Sequence, residues 1–250
     1  QPSPAIERLG RSRFDSEPAR ARELIDALDS PRVDYRPNTT VWDVPEPGVL
    51  ALAAGPGSCR ICAQATIFAT GAYDRSVPFP GWTLPGVVTA GGVQNLIKGQ
   101  RVVPGRTAVV VGNGPLLLVV AAYLVWAGVT VAAVAEAAPA TRQAFAAMHR
   151  LCASPGLLTR GLGYRAALLA RRVKFLEGQT VLRAVGRDEV QAVKLAPITM
   201  SGEPMVQHET TVACDTLVSA FGLQSSTELP RLVGCEHAYA PDEGGWLPVR

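Results

Sequence analysis

Uncharged residues run without a break from Ala108 to Ala135, and the texture of that run changes three times. Val109-Val110-Val111 is a β-branched block, Gly112-Asn113-Gly114-Pro115 is a breaker, 116–127 is apolar throughout, and Gly128 precedes a second β-branched block at Val129-Thr130-Val131. The run exceeds the roughly 20 apolar residues that a membrane-spanning helix needs. The breakers near both ends and the β-branched flanks instead predict a strand at 107–112, a buried helix at 115–127 and a strand at 129–135.

Upstream, Ser16-Glu17-Pro18 reads as a helix start: a capping hydroxyl, an acid, and a proline early in the first turn. Ala21, Leu24, Ile25 and Leu28 then share one face of a helix running to about Leu28. Short strands are expected at 33–35, 39–44 and 49–53, with a turn at Gly55-Pro56-Gly57 and a longer strand at 59–69 that ends at Thr70-Gly71. The Pro- and Gly-rich stretch 74–87 reads as an ordered crossover between domains, followed by a helix at 89–98. Downstream, Pro139 opens a helix to about Ala153, and 155–172 is helical but weakened by Gly161 and Gly163. Beyond Val173 the pattern shortens. Strands are expected at 174–176, 180–186, 190–196 and 207–213, with hairpin turns at Gly178, at Asp188-Glu189 and near Ser201-Gly202. Residues 215–220 form a further apolar strand, and the tail from Ser225 reads as loop. No solenoid repeat is present.

Composition narrows the class. The 250 residues suffice for one large domain or two small ones. Charged residues make up 18% of the chain, below the roughly 25% of typical soluble domains, which argues for a buried core rather than disorder. A net charge of +3 does not suggest a nucleic-acid partner, and the densest basic stretch, Arg160 to Lys174, is interleaved with Leu and Ala as on a solvated helix face. The five cysteines are odd in number and not spaced as a disulfide scaffold, which fits a reducing, cytoplasmic setting. No signal peptide is evident. The first residue is Gln1, and the chain is expected to be a piece of a longer polypeptide.

The candidate chemistry sits at the glycine turn. A diphosphate needs backbone N–H groups aimed at it and no side chain in the way. Gly112 allows the tight turn, Gly114 lets the backbone approach the phosphates, and Pro115 suits the first turn of a helix whose N-terminal N–H groups and dipole favour an anion. The diphosphate-binding candidates are therefore Gly112, Asn113, Gly114, Pro115 and Leu116. Glu136 follows Gly112 by 24 residues, close to the roughly 20 expected of the acid that binds the adenosine ribose, so NAD is preferred over NADP. The third glycine of the fingerprint is replaced by Leu117, which implies a wider helix–strand separation or an altered loop.

Cys59-Arg60-Ile61-Cys62 matches the redox spacing C-x-x-C, but on a strand the two side chains point to opposite faces, roughly 10 Å apart. No second ligand pair is spaced for zinc. His149, His208 and His237 are isolated, and Trp82 and Trp126 read as packing residues. No catalytic residue and no metal ligand is assigned.

Ala69-Thr70-Gly71-Ala72, Pro78-Phe79-Pro80-Gly81-Trp82-Thr83-Leu84-Pro85-Gly86-Val87 and Gly112-Asn113-Gly114-Pro115-Leu116-Leu117-Leu118 together resemble the FAD-dependent pyridine nucleotide-disulfide oxidoreductase superfamily. More narrowly, they resemble the α subunits of opine oxidase, hydrogen cyanide synthase and hydroxyproline dehydrogenase. The resemblance implies an α/β, Rossmann-like flavoprotein fold with two dinucleotide-binding domains, an NAD-like βαβ domain being inserted in a partial FAD domain. On that template residues 1–104 are the partial FAD-binding domain, 105–215 the NAD(P)-binding-like domain, and 216–250 the return to the FAD domain. It places Ala69, Thr70 and Gly71 beside the flavin nucleotide. The family's first glycine fingerprint would precede residue 1 and its later Gly-Asp motif would follow Arg250, so this piece alone is expected to be inactive. The implied function is that of an α subunit of an amino-acid or opine dehydrogenase complex. It would use FAD to pass on electrons from a C–N bond of a small amine or opine oxidised by a β subunit. Two alternatives stand beside it: an NADH-dependent flavoprotein reductase, and a non-catalytic nucleotide-binding or scaffold subunit.

Overall fold

The computed structural model describes residues 18–138, 155–241 and 244–249. The helix expected at 139–153, and His149 with it, lies outside them. The described residues divide into two units, a larger one within 74–222 and a smaller one made of 18–73 and 223–249.

The smaller unit begins with helix α1 (Pro18–Asp26) and continues into an antiparallel meander of β1 (Thr39–Glu46), β2 (Val49–Ala54) and β3 (Gly57–Cys62). The face of α1 read as apolar is open, with Leu24 65% exposed. Two expectations fail here. No strand forms at 33–35, and β3 stops at Cys62 rather than running to Ala69. Residues 63–71 find no ladder partner among the described residues, and Ile67 is 93% exposed. An apolar run becomes a strand only where a neighbouring backbone takes its N–H and C=O groups. The chain then enters the short β4 (Ala72–Asp74).

The larger unit follows: β5 (Val87–Thr89), α2 (Ala90–Gln94), β6 (Thr107–Gly112), α3 (Pro115–Trp126), β7 (Thr130–Glu136), α4 (Pro155–Ala170), β8 (Lys174–Glu177), β9 (Gln179–Val185), β10 (Ala192–Pro197), β11 (Thr210–Ala213) and β12 (Thr216–Ala220). Helix α2 starts where Thr89 Oγ1 accepts from Gly92 N at 3.2 Å and both carboxylate oxygens of Asp74 accept from Gly91 N at 3.0 Å. It runs on as a π-helical turn over Asn95–Gln100.

Five strands form a parallel sheet in the order β5-β12-β6-β7-β8, and β11-β10-β9 form a separate antiparallel sheet. Alternation along the central strands explains the layers. Ala108, Val110, Val134 and Val218 share one core with Val93 and Ile97, with Leu117, Val120 and Leu124 of α3, and with Leu168 of α4. Val109, Val111, Ala133, Ala135 and Leu217 share another with Val181, Ala184, Val193 and Leu195 of the antiparallel sheet. The unit is thus three layers, helices, parallel sheet and antiparallel sheet, and the central strands are apolar on both faces because both are covered. Trp126 packs in an aromatic group with Tyr123 and Tyr164, at ring-centroid distances of 5.8 and 5.7 Å.

Gly178 does not make the hairpin expected of it. The strand before it, β8, lies beside β7 in the parallel sheet, while the strand after it, β9, pairs with β10. Gly178, at φ +65°, therefore carries the chain from one sheet to the other. The turns between β9 and β10 and between β10 and β11 do join antiparallel neighbours.

The Pro-Gly-Trp segment forms a seam along the larger unit. Pro80 O accepts from Ala184 N and Pro85 O from Val190 N, both at 2.9 Å, and Gly86 O accepts from Leu217 N at 2.8 Å. Phe79 is buried in the core beneath it, whereas Trp82 remains 44% exposed rather than packed.

The tail corrects the loop reading. β13 (Leu223–Ser225) pairs with β4, a short helix α5 (Glu228–Leu232) follows, and β14 (His237–Ala240) and β15 (Gly245–Pro248) form an antiparallel ribbon on which Tyr239 and Trp246 stack edgewise at 5.5 Å. Among the described residues no helix is long and apolar enough to cross a membrane. The glycine turn that interrupts the long apolar run is what prevents one.

Candidate functional site

Parallel sheets bind ligands beyond the carboxyl ends of their strands, at the point where successive connections diverge to opposite sides. Here that point lies between β6 and β12, because β6 leads to β7 on one side while β12 lies on the other. The Gly112–Pro115 turn stands at this point. Gly112 is buried, at φ +152°, and a Cβ there would sit 2.1 Å from Ala220 O at the end of β12. Asn113 N donates to the same Ala220 O at 2.9 Å, and Ala137 N donates to Gly112 O at 2.9 Å. The turn is thereby clamped to the strands on both sides. The N–H of Asn113 is committed to β12, Pro115 has none and Leu117 N donates to Gly114 O at 3.2 Å, so an anion at this turn meets the N–H groups of Gly114 and Leu116.

Gly114 is built differently. It has φ +90°, nothing lies within 4 Å of its would-be Cβ, and as the N-cap of α3 it offers no side-chain cap. Pro115 opens the helix and is exposed, while Leu116 is half-buried against the helix-side core. Leu117, at the position of the third glycine, is fully buried in that core and points away from the open side of the turn. An open cradle at the N-terminus of a twelve-residue helix is what a diphosphate requires.

Glu136 ends β7 in parallel register with Gly112 and is half-buried. The structure thus brings Gly112, Asn113, Gly114, Pro115, Leu116 and Glu136 to one edge of one sheet. It adds Glu177, in register with Glu136 at the end of β8. Sequence reasoning missed this residue because the expected hairpin at Gly178 assigns β8 to a different sheet. The helix before it, a crossover of the βαβ kind, was the signal that would have put it in the parallel sheet.

Ala69, Thr70 and Gly71 belong to the smaller unit. Thr70 Oγ1 donates to Ser226 O at 3.1 Å and Ser226 N donates to Gly71 O at 3.1 Å, so the turn is pinned to the segment after β13. Gly71 adopts φ +73° with open space where its Cβ would be, leaving a side free for a ligand edge.

Cys59 and Cys62 lie on β3 as exposed free thiols. Cys214 is buried, and burial, with the neighbouring Asp215 charge, pushes its thiol up to about 11. Alkylation of the native chain at pH 8, mapped by mass spectrometry, is expected to modify Cys59 and Cys62 promptly and Cys214 only after denaturation. Prompt labelling of Cys214 would contradict its burial. His208 lies in an exposed turn, and His237 Nδ1 donates to Cys235 O at 2.7 Å. Among the described residues no group of three or more His, Cys, Asp or Glu is placed to hold a metal.

Comparison with known proteins places this geometry in context. The model of the pyridine nucleotide-disulphide oxidoreductase family matches residues 4–249. The chain is 34% identical over 214 residues to hydrogen cyanide synthase subunit HcnB of Pseudomonas protegens, covering 84% of this chain and 45% of that protein. It is 29% identical over 240 residues to an opine oxidase subunit of Agrobacterium tumefaciens, covering 92% of this chain and 46% of that protein. The chain thus spans about half the length of these relatives. Among solved structures it resembles the thioredoxin reductase of T. acidophilum, with a TM-score of 0.56, 15% identity, and coverage of 92% of this chain and 69% of that one. It also resembles the L-proline dehydrogenase of P. horikoshii, with a TM-score of 0.55, 16% identity, and coverage of 92% and 36%. At these identities the structural likeness concerns the fold alone.

Proposed function

The chain belongs to the pyridine nucleotide-disulphide oxidoreductase family, and on that premise we propose that it is part of an FAD-dependent oxidoreductase subunit. That subunit works with a β subunit in oxidising a C–N bond of a small amine, amino acid or opine. The observation that carries the nucleotide part of this reading is the open turn at Gly114, clamped through Gly112 to two strands at the sheet's divergence point. The relatives named as subunits of hydrogen cyanide synthase and opine oxidase support the two-component part.

In this reading the NAD-like domain, expected at 105–215, lies within the larger unit, and the smaller unit is part of the FAD domain. Bound flavin supplies the two-electron chemistry. The protein's own residues bind and orient. Gly114 and the first turn of α3 face a diphosphate, and Glu136 accepts from ribose hydroxyls. The open side of Gly71 lies against the flavin nucleotide, with the turn held by the Thr70 and Ser226 hydrogen bonds. The odd set of five cysteines, not spaced as a disulfide scaffold, supports a reducing, cytoplasmic setting.

A second reading, an NADH-dependent flavoprotein reductase, is favoured by Glu136 standing in register with Gly112. Anaerobic titration of the flavin-loaded polypeptide that carries this chain, followed by flavin absorbance near about 450 nm, separates the two. The expected result is slow or no bleaching by NADH alone, and bleaching by an amino acid or opine once the β subunit is present. Rapid bleaching by NADH alone would favour the reductase, and a protein that holds no flavin would refute both readings.

A further inference from the structure

Three residues stand in a row at the carboxyl edge of the parallel sheet. Gly112 of β6 pairs with Glu136 of β7, and Glu136 pairs with Glu177 of β8. Register partners in a parallel ladder project to the same face, and adjacent strands lie about 4.8 Å apart. The face follows from parity. Val134 and Phe175, two positions before Glu136 and Glu177, both pack in the helix-side core, while Ala135 and Leu176 pack on the opposite side. Glu136 and Glu177 therefore project on the face where α3 begins, the side on which the open Gly114 turn receives an anion.

We propose that Glu177 is a second specificity-determining residue of this nucleotide site. With Glu136 it forms a side-by-side carboxylate pair that accepts an adenosine ribose bearing free hydroxyls and repels one bearing a 2′-phosphate. The inference rests on the reading of the Gly112–Glu136 edge as a dinucleotide site. It extends that reading to a residue on the next strand. Glu136 is half-buried and Glu177 exposed, so Glu136 would hold the ribose nearer the sheet and Glu177 would stand on its solvent side. A dianion entering there meets the charge of Glu177 beside the edge that Glu136 occupies, and like-charge repulsion opposes it.

The test is a comparison of NADH and NADPH binding to the full chain, by quenching of tryptophan fluorescence or calorimetry, for the wild type, Glu177→Gln and Glu136→Gln. Because Glu177 is exposed, its amide variant is expected to keep the wild-type circular dichroism and melting temperature. Glu177→Gln is expected to tighten NADPH about tenfold while changing NADH by less than about threefold, and the gain should shrink as salt is raised. Glu136→Gln is expected to weaken NADH as well, since it removes a hydroxyl acceptor. A merely structural Glu177 would leave the NADH-to-NADPH ratio unmoved. An unchanged ratio in Glu177→Gln, with NADH still bound by the wild type, overturns the proposal and leaves the nucleotide site standing. Binding of neither nucleotide by the wild type overturns the site and the proposal together.

Discussion

Replacing Gly112 by alanine is expected to destabilise the larger unit by about 3–5 kcal/mol, among the largest effects of any single methyl in this chain. The added Cβ would stand 2.1 Å from Ala220 O and 2.4 Å from Ala220 C, and both are backbone atoms of a central strand that cannot swing aside. The residue also sits at φ +152°, where L side chains are rare. To admit the methyl, β6 must separate from β12 where Asn113 N meets Ala220 O. For a domain of this size the melting temperature should fall by roughly 10 °C or more. Gly114→Ala is the informative contrast. Its Cβ meets nothing within 4 Å, so only the positive φ opposes it, at about 1–2 kcal/mol. Its methyl, however, stands on the open side of the turn. The fold should survive while NADH affinity falls. Equal stability losses in both variants would show that Gly114 serves packing rather than access.

Gly86→Ala is expected to cost about 3 kcal/mol or more, and it tests the meaning of the Pro-Gly-Trp motif. Gly86 has φ +93°, and a Cβ would lie 2.6 Å from Asp215 O, again a backbone atom. Its carbonyl already accepts from Leu217 N at 2.8 Å, and the carbonyl of Pro85 beside it holds Val190 N. The methyl would pry the motif away from β12 and from the antiparallel sheet at once. Chemical denaturation followed by tryptophan fluorescence should show a lower midpoint. A variant that kept wild-type stability but lost nucleotide or flavin binding would mean that the motif contacts cofactor instead of closing the seam.

The motif shows how a recognisable string can be structural. Gly81 and Gly86 avoid collisions with the backbone oxygens of Ala184 and Asp215, a requirement set by segments roughly 100 residues later and invisible in the local pattern. Leu117 is a related case. A leucine in place of the third glycine suggests an altered helix–strand packing, and the structure shows it absorbed into the core between α3 and the sheet. The turn ahead of it keeps an open glycine at its tip.

The hydrophobic pattern by itself determined the central βαβ unit. A β-branched block buried on both faces, a Gly-Asn-Gly-Pro breaker and a continuous apolar helix leave one arrangement, because local sterics and burial act over neighbouring residues. The helix and strand bounds there, and the position of Glu136, were legible for that reason. What only the tertiary structure decided were matters of partner choice. The strand expected at 59–69 ends at Cys62, since residues 63–71 have no ladder partner among the described residues. The tail expected as loop folds, since β4 offers β13 an edge and β14 and β15 offer each other one. Gly178 changes sheets instead of turning a hairpin, since β7 has a free edge for β8. From that last choice comes the carboxylate row at Glu136 and Glu177, which depends on register between strands roughly 40 residues apart. Periodicity reports which face of an element is apolar. It does not report which backbone will take that element's hydrogen bonds, and here that decided what stands at the edge of the site.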